Sequence, residues 1–253
     1  MLLGTYSAGL LFGYFVVFAR LGTALMFLPG FGETQIPVRM RLSFALVLCL
    51  ALYPVTPVAP ILPQDPVGML KLLGAEVTVG LWIGVTARTI LAGLEFAGYQ
   101  VGQVSGLTNA FGPSIGSFQG ATLIATFLLL SGVALIFATD SDHIILLALL
   151  RSYAVFPPGI LFPGAMAEQI ARAGAQSLYI GTAVAAPFFV MGLILNLGMG
   201  LANRMMPQLP VFFVAASILI AAGLLILAYA APSMLNYFLD NLLGWMNGFQ
   251  FKN

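Results

Sequence analysis

The residues best suited to chemistry lie in two short segments near the middle of the chain. Gly112-Pro113-Ser114-Ile115-Gly116 matches the G-x-S-x-G pattern that carries the nucleophilic serine of many hydrolases. His143, the only histidine, directly follows Asp140-Ser141-Asp142. The three residue types of a Ser-His-Asp triad are therefore present, and a serine protease is one hypothesis for the function.

The context of the motif argues against a hydrolase. No strand-like segment precedes Gly112, whereas the nucleophile of this pattern stands on a turn between a strand and a helix. Pro113 makes a poor start for a helix-borne nucleophile, and with 28 glycines a chance match is unsurprising. Asp140 to His143 suit a helix cap or an interface. We therefore predict that the chain is not an enzyme.

Metal and cofactor chemistry is not indicated either. One cysteine and one histidine cannot supply the ligands of a zinc site. Cys49 lies in the apolar run Phe44–Leu52 and has no second cysteine to pair with, so we expect a small buried hydrophobe. A net charge of +1 gives no sign of nucleic acid or of an acidic substrate. We expect no cofactor.

The composition predicts a membrane protein. Hydrophobic residues make up 60% of the chain and charged residues 7%, against about 25% charged residues in soluble domains. Five segments carry no charge: Met1–Ala19, Leu42–Gln64, Phe96–Thr139, Ala173–Asn203 and Met205–Leu239. Crossing the hydrocarbon core takes about 20 apolar residues. We predict an all-α, polytopic membrane protein with long, broken helices and a central glycine-rich loop.

Periodicity and breaker residues predict seven helices. They are Tyr6–Leu28, Leu42–Tyr53, Val67–Phe96, Ala121–Ala138, Ile144–Val155, Ala167–Asn203 and Val211–Leu243. The first lacks the basic region of a signal peptide, so we expect it to be retained. We predict one domain, 1–253, with N-terminal helices in 1–165 and a C-terminal helical hairpin in 166–253.

Charged residues interrupt the first and third of these apolar helices, among them Arg20, Glu76, Arg88 and Glu95. A charge at the bilayer centre costs roughly 2.5–3.5 kcal/mol on insertion scales. We therefore expect these side chains to meet partners inside a bundle or in a larger assembly rather than lipid. Direct contact with a transported substrate is the alternative.

The glycine-rich centre combines close packing with polarity. Gly98, Gly102 and Gly106 are spaced four apart, and small residues at this spacing let helices approach closely. Irregular polar backbone is tolerated at membrane depth only where protein buries it or water runs beside it. With bulky Phe111 among the glycines, Gly106–Gly116 is predicted to be a movable constriction loop in a conduit. A static re-entrant turn is the alternative.

Three ordered groups of residues carry a family resemblance. The first is Ala19-Arg20-Leu21-Gly22, Leu28-Pro29-Gly30-Phe31-Gly32 and Ile36-Pro37-Val38-Arg39. The second is Glu76-Val77-Thr78-Val79-Gly80, Gly84, Ala97-Gly98, Gln103 and Gly106-Leu107. The third is Asn203-Arg204-Met205-Met206-Pro207-Gln208 and Pro210-Val211-Phe212-Phe213. In this order and spacing the chain resembles the FliR family of flagellar and virulence type III export systems.

The resemblance implies a non-enzymatic channel subunit. Members of the family join FliP and FliQ in a tilted helical assembly, the gated entrance for unfolded export substrates. FlhB and FlhA are the implied neighbours, and the implied location is the bacterial inner membrane at the flagellar basal body. The last two helices resemble the FliQ hairpin. Whether this chain serves a flagellar or a virulence system stays open, with flagellar favoured.

The resemblance also assigns roles to residues. It places Gly106, Leu107, Asn109, Phe111, Pro113 and Ser114 in a plug that closes the channel at rest. Structural or assembly roles are implied for Arg20, Pro37, Arg39, Glu76, Gly80, Gly84, Arg88, Gln103, Arg204, Pro207, Gln208 and Phe212. The chain departs from the family pattern at Gly112, where an acidic residue is frequent, at Asp142, where a histidine is frequent, and at Ala216-Ser217, where glycine and proline are frequent.

A stand-alone secondary transporter is the main alternative. Its site would lie between broken helices, and Arg20, Glu76 and Arg88 would bind substrate or couple protons. Such transporters are built from internal repeats, and the sequence shows no convincing ones.

Overall fold

Helices make up most of the residues that the structure, a computed structural model, describes. These are 2–59, 65–107, 120–205 and 211–247; for 2–5, 120–122, 211–214 and 247 only the backbone is described. Within these ranges there is no strand, and seven long helices follow one another. They are α1 (Leu2–Val17), α2 (Val38–Leu52), α3 (Pro66–Val104), α4 (Gly120–Ala138), α5 (Ser141–Val155), α6 (Pro163–Met205) and α7 (Val211–Asn247).

Five described helices are long and apolar enough to cross a membrane: Tyr6–Leu25, Val38–Val55, Pro66–Val104, Pro163–Met205 and Ala215–Met246. A sixth span is added if Leu123–Ala138 and Ser141–Val155, which meet at 81°, form one broken span. The predicted all-α, polytopic membrane fold is confirmed.

The first helix is less regular than predicted. After Val17 the backbone passes through a π-helical segment, Phe18–Gly22, before a last α-helical turn, Thr23–Leu25. A π-helical segment adds a residue to the turn, and such segments are frequent at functional sites. Here the segment contains Arg20, whose side chain is fully buried.

The third helix is longer than predicted. An end near Phe96 was expected, but α3 continues as regular helix to Val104. That expectation was wrong for Gly98–Val104 because close packing replaces helix propensity there. A Cβ atom at Gly98 would overlap the backbone of Ala125 in α4, and one at Gly192 in α6 would overlap the side chain of Val104.

The chain folds into two compact units. The first comprises Met1–Thr89, Ile136–Gly174 and Leu242–Asn253, and the second Ile90–Leu135 and Ala175–Asn241. The boundaries fall within helices, and the predicted division into 1–165 and 166–253 stays a prediction.

Each unit has its own apolar core. In the first, Trp82 contacts Phe156 edge to face with ring centroids 5.2 Å apart. The indole Nε1 of Trp82 donates a 2.8 Å hydrogen bond to the carbonyl oxygen of Met166, so its polar atom is satisfied in the core. The core of the second unit contains Leu94, Leu128, Phe188 and Phe238, all fully buried.

The second unit joins α6 to α7 through a polar contact. Gln176 Nε2 donates a 2.8 Å hydrogen bond to Asn241 Oδ1, and Asn241 Nδ2 donates to the carbonyl oxygen of Tyr237. Such bonds between membrane helices contribute about 0.6 kcal/mol on average. Gln176 and Asn241 lie at similar distances in sequence from residues 206–210, which separate the two helices, as in an antiparallel pair.

The close contact at Gly98 predicts a large difference between two glycine substitutions on α3. Gly98→Ala forces a methyl group into the backbone of Ala125, at a cost of about 1–3 kcal/mol for overpacking. Gly74→Ala meets no atom within 4 Å and should gain up to about 1 kcal/mol of helix propensity. Thermal unfolding in detergent measures both; equal midpoints for the two variants would contradict the packing.

Candidate functional site

A stripe on α3 carries two charges and two glycines. Glu76, Gly80, Gly84 and Arg88 are spaced four apart, which places them on one face of the helix. Within the first unit, this face packs against the segment from Arg20 to Glu33. The charges stand at the ends of the stripe and the glycines between them.

The first charge, Glu76, forms a buried ion pair with Arg20. Arg20 Nε lies 2.7 Å from Glu76 Oε2, and Arg20 Nη2 lies 2.9 Å from Oε1. Both side chains have no exposed surface. Two parallel N–H···O bonds of this kind are the strongest geometry for an arginine and a carboxylate. The guanidinium also lies 4.1 Å from the centroid of the Tyr153 ring, a cation–π contact.

Glu76 also holds the connection between α5 and α6. The backbone N–H of Gly159 donates a 3.0 Å hydrogen bond to Glu76 Oε1. Gly159 has a φ of 80°, a conformation that favours glycine. One carboxylate therefore accepts hydrogen bonds from the π-helical segment Phe18–Gly22 and from the α5–α6 connection, while it stands on α3.

The two glycines of the stripe allow this approach. A Cβ atom at Gly80 would overlap the carbonyl oxygen of Arg20, and one at Gly84 would lie 2.8 Å from the carbonyl oxygen of Ala24. Small residues four apart permit such backbone contact between membrane helices. Without them, the Arg20 side chain would be carried away from Glu76.

The second charge, Arg88, pairs with Glu33. Arg88 Nη1 lies 2.6 Å from Glu33 Oε1, and the two side chains are 32% and 5% exposed. Glu33 was not among the predicted residues. It is the only acidic residue before Asp65, so the need of Arg88 for a partner was the signal that pointed to it. Tyr153 carried no comparable signal.

The other predicted assembly residues are not part of these ion pairs. Pro37 and Arg39 are exposed just before and at the start of α2, and Gln103 and Arg204 are exposed on α3 and α6. Phe212 lies on α7, but its side chain is outside the description, as are Pro207 and Gln208. Their structural or assembly roles stay predictions.

The entry to the predicted plug is anchored in the second unit. Gly106 has a φ of 68°, and a Cβ there would lie 3.3 Å from Leu219 Cδ2 in α7. Leu107 is fully buried. Ser105 is also buried; its hydroxyl donates a 2.6 Å hydrogen bond to the carbonyl oxygen of Val101, and its Cβ packs against Gly223. The left-handed backbone at Gly106 thus follows the end of α3.

The remaining plug residues, Asn109, Phe111, Pro113 and Ser114, lie outside the described residues, and so does the G-x-S-x-G motif. The plug assignment therefore stays a prediction. His143 is described; its side chain is 76% exposed, and its Nδ1 lies 3.3 Å from Asp142 Oδ1. Asp140, at the N-cap position of α5, makes no side-chain capping hydrogen bond, so the expected cap is not seen and the His143–Asp142 contact joins two neighbouring side chains only.

Comparison with known proteins identifies the family. A sequence model described as "Bacterial export proteins, family 1" matches residues 11–244. Flagellar biosynthetic protein FliR of Caulobacter vibrioides is 38% identical over 216 residues, which cover 84% of this chain and 86% of that protein. The chain belongs to the FliR family. The resemblance predicted from the three ordered groups of residues is confirmed.

Relatives within the FliR family include both flagellar and translocation proteins. Flagellar biosynthetic protein FliR of Escherichia coli is 27% identical over 227 residues, covering 87% of this chain and 84% of that protein. Yop proteins translocation protein T of Yersinia pestis is 28% identical over 230 residues, covering 87% of each chain. The similarity thus extends over most of the length in both kinds of relative.

The buried pair predicts a steep loss of stability when one partner is removed. Arg20→Met leaves the Glu76 carboxylate buried without its cation, and Glu76→Gln leaves the cation uncompensated; each should cost about 3–5 kcal/mol. The double variant Arg20→Met/Glu76→Gln should cost less than the sum of the singles. Thermal unfolding of the purified protein in detergent measures all three.

A matched control lies on α6. Arg172 and Glu168 form an ion pair whose side chains are 75% and 62% exposed, so Arg172→Met should cost less than about 1 kcal/mol. If Arg20→Met proved as mild as Arg172→Met, the structural importance of the buried pair would be refuted.

Proposed function

We propose that this chain is a non-enzymatic channel subunit of a bacterial type III protein-export apparatus. With FliP and FliQ it forms the gated entrance for unfolded export substrates, in the inner membrane and next to FlhB and FlhA. The observation that carries the proposal is the FliR-family match over residues 11–244. A flagellar system is favoured by the 38% identity with a flagellar relative.

The pairing of the intramembrane charges supports a subunit over a stand-alone transporter. A transporter would use Arg20, Glu76 and Arg88 for substrate or protons, and such groups need access to the transport path. Arg20 and Glu76 have no exposed surface and bind each other, and Arg88 binds Glu33. These charged side chains pair with each other and stabilise the packing of the first unit.

The proposed gate is the segment Gly106–Gly116. The left-handed backbone of Gly106 begins the segment directly after the fully buried Ser105. Phe111 fills the path at rest, and the surrounding glycines let the segment move aside when a substrate enters. Binding of substrate can shift such an equilibrium only if opening costs no more than a few kcal/mol. The C-terminal helices, in 166–253, form a hairpin like that of FliQ.

The native mass of the tagged chain tests the proposal. Purified in mild detergent after co-expression with FliP and FliQ, the chain should run as one large complex that contains all three proteins. Expressed alone, it should give a poor yield, because its exposed apolar helices lack their partners. A monodisperse chain that ignores FliP and FliQ would favour the stand-alone transporter.

Removal of the proposed plug should make the gate leaky. Deleting Gly106–Gly116 opens the path, so the assembled gate in a planar bilayer should conduct small ions where the intact gate does not. Phe111→Ala should leak in the same direction, because it removes the proposed bulky group. Phe118→Ala, an equal truncation just beyond the segment, is the control. Unchanged conductance in the deleted gate would refute the plug.

A further inference from the structure

One face of α3 in the second unit carries polar side chains that are exposed or half-buried. Ala92, Glu95, Tyr99 and Gln103 follow one another at intervals of three or four residues, which aligns them on one side of the helix. Tyr99 is 46% exposed, Gln103 is exposed, and Ala92 and Glu95 are half-buried. The opposite side of the helix is fully buried, as Leu94 and Val101 show. We call Glu95, Tyr99 and Gln103 the polar stripe.

The polar stripe has no side-chain partner among the described residues. Neither the Glu95 carboxylate, the Tyr99 hydroxyl nor the Gln103 amide takes part in a hydrogen bond or ion pair there. These residues nevertheless stand on a helix that is long and apolar enough to cross a membrane. An ionised carboxylate facing the middle of the hydrocarbon costs roughly 2.5–3.5 kcal/mol on insertion scales. The stripe therefore requires a polar environment.

A second exposed face in the same unit has the opposite chemistry. On α6, five aliphatic side chains are between 59% and 65% exposed: Val190, Leu193, Ile194, Leu197 and Leu201. An aliphatic face of this kind suits lipid or an apolar neighbouring helix. The second unit therefore has an aliphatic exposed face on α6 and a polar exposed face on α3. The polarity of the stripe is a property of one face and not of the whole exposed surface of the unit.

We propose that the polar stripe lines the water-filled path and contacts the unfolded polypeptide during export; this rests on the proposed function. Residues four apart on a helix rise by about 6 Å, close to the length of two residues in an extended chain, at about 3.3–3.6 Å each. A carboxylate, a hydroxyl and an amide at this spacing, with bound water, can serve the backbone N–H and C=O groups of an extended chain, which must stay satisfied at membrane depth.

The position of the stripe along the chain supports this occupant. The stripe ends at Gln103, whose carbonyl oxygen accepts a 3.4 Å hydrogen bond from the N–H of Gly106, the first residue of the proposed gate. A helix face that leads directly into a gate is suited to line the approach to it. A lipid-facing helix in this place would need apolar side chains.

Single cysteines test the stripe in the assembled complex. Cys49 is the only cysteine of this chain, so Cys49→Ala leaves the chain without thiols and labelling is followed on this subunit alone. In that background Glu95→Cys, Tyr99→Cys and Gln103→Cys are compared with Leu193→Cys and Leu197→Cys on the aliphatic face. Open membrane fragments are treated with a charged, membrane-impermeant maleimide. The maleimide reacts with the thiolate, which forms only where water reaches the cysteine. The stripe cysteines should therefore be labelled about tenfold faster than the controls.

An arrested substrate tests the contact itself. A substrate jammed by a folded C-terminal domain should slow labelling of the stripe severalfold and leave Leu193→Cys and Leu197→Cys unchanged. Ala92→Cys, the smallest change on the same face, repeats the test with little disturbance of packing. The proposal would be overturned if the stripe cysteines were labelled as slowly as the controls. It would also be overturned if a stripe cysteine that is protected from labelling crosslinked to a neighbouring subunit.

The two proposals fail in different ways. Each cysteine variant is also tested for co-purification with FliP and FliQ. If the parent chain forms no such complex, the proposed function is wrong. If the complex is complete but the stripe is not labelled, only the assignment of the stripe is wrong.

Discussion

The packing of the first unit depends on one buried ion pair. Each ion that leaves water for a protein interior costs several kcal/mol, and the cost is offset only by close, well-directed partners. Arg20 and Glu76 meet this condition with N···O distances of 2.7 and 2.9 Å and a third hydrogen bond from Gly159. Gly80 lets the two helix backbones come close enough for the pair to form. The glycines spaced four apart on α3 and the π-helical segment that contains Arg20 both lie at this contact.

The ion pairs divide the polar groups of the membrane helices into two kinds. Arg20, Glu76, Arg88 and Glu33 form ion pairs within the first unit and hold its helices in place, although the buried Nη1 of Arg20 has no hydrogen-bond partner among the described residues. The polar stripe, Glu95, Tyr99 and Gln103, is not satisfied within the described part of the chain. Groups of the first kind give a firm scaffold, and groups of the second kind are free to meet water, a substrate or another subunit. A gate needs both, because a movable segment can close a path only against walls that do not move.

Much of the fold could be predicted from the sequence. Charge-free segments of about 20 residues identify membrane helices, and the order of short motifs such as Asn203–Gln208 identifies the family. The four-residue spacing of Glu76, Gly80 and Gly84 is visible in the sequence as well. The pairing of Glu76 with Arg20 is not visible in the sequence, because the two residues are 56 positions apart and only helix packing brings them together.

The errors have physical causes. Glycines at 98 and 102 favour a loop by propensity, but contact with Ala125 keeps α3 helical to Val104. Tertiary packing overrides propensity in such cases. Glu33 was missed because a charge in a short polar turn is ordinarily solvated, and its 5% exposure comes from the contact with Arg88.

The proposal that this chain contacts exported polypeptides is tested most directly by a crosslink from a protein in transit. An export substrate arrested by a folded C-terminal domain would carry a photoreactive residue at successive positions of its trapped segment. We predict crosslinks to this chain from a short run of those positions, and their loss when the export signal is removed. Crosslinks that reach only other membrane proteins, in a complex that contains this chain, would contradict it.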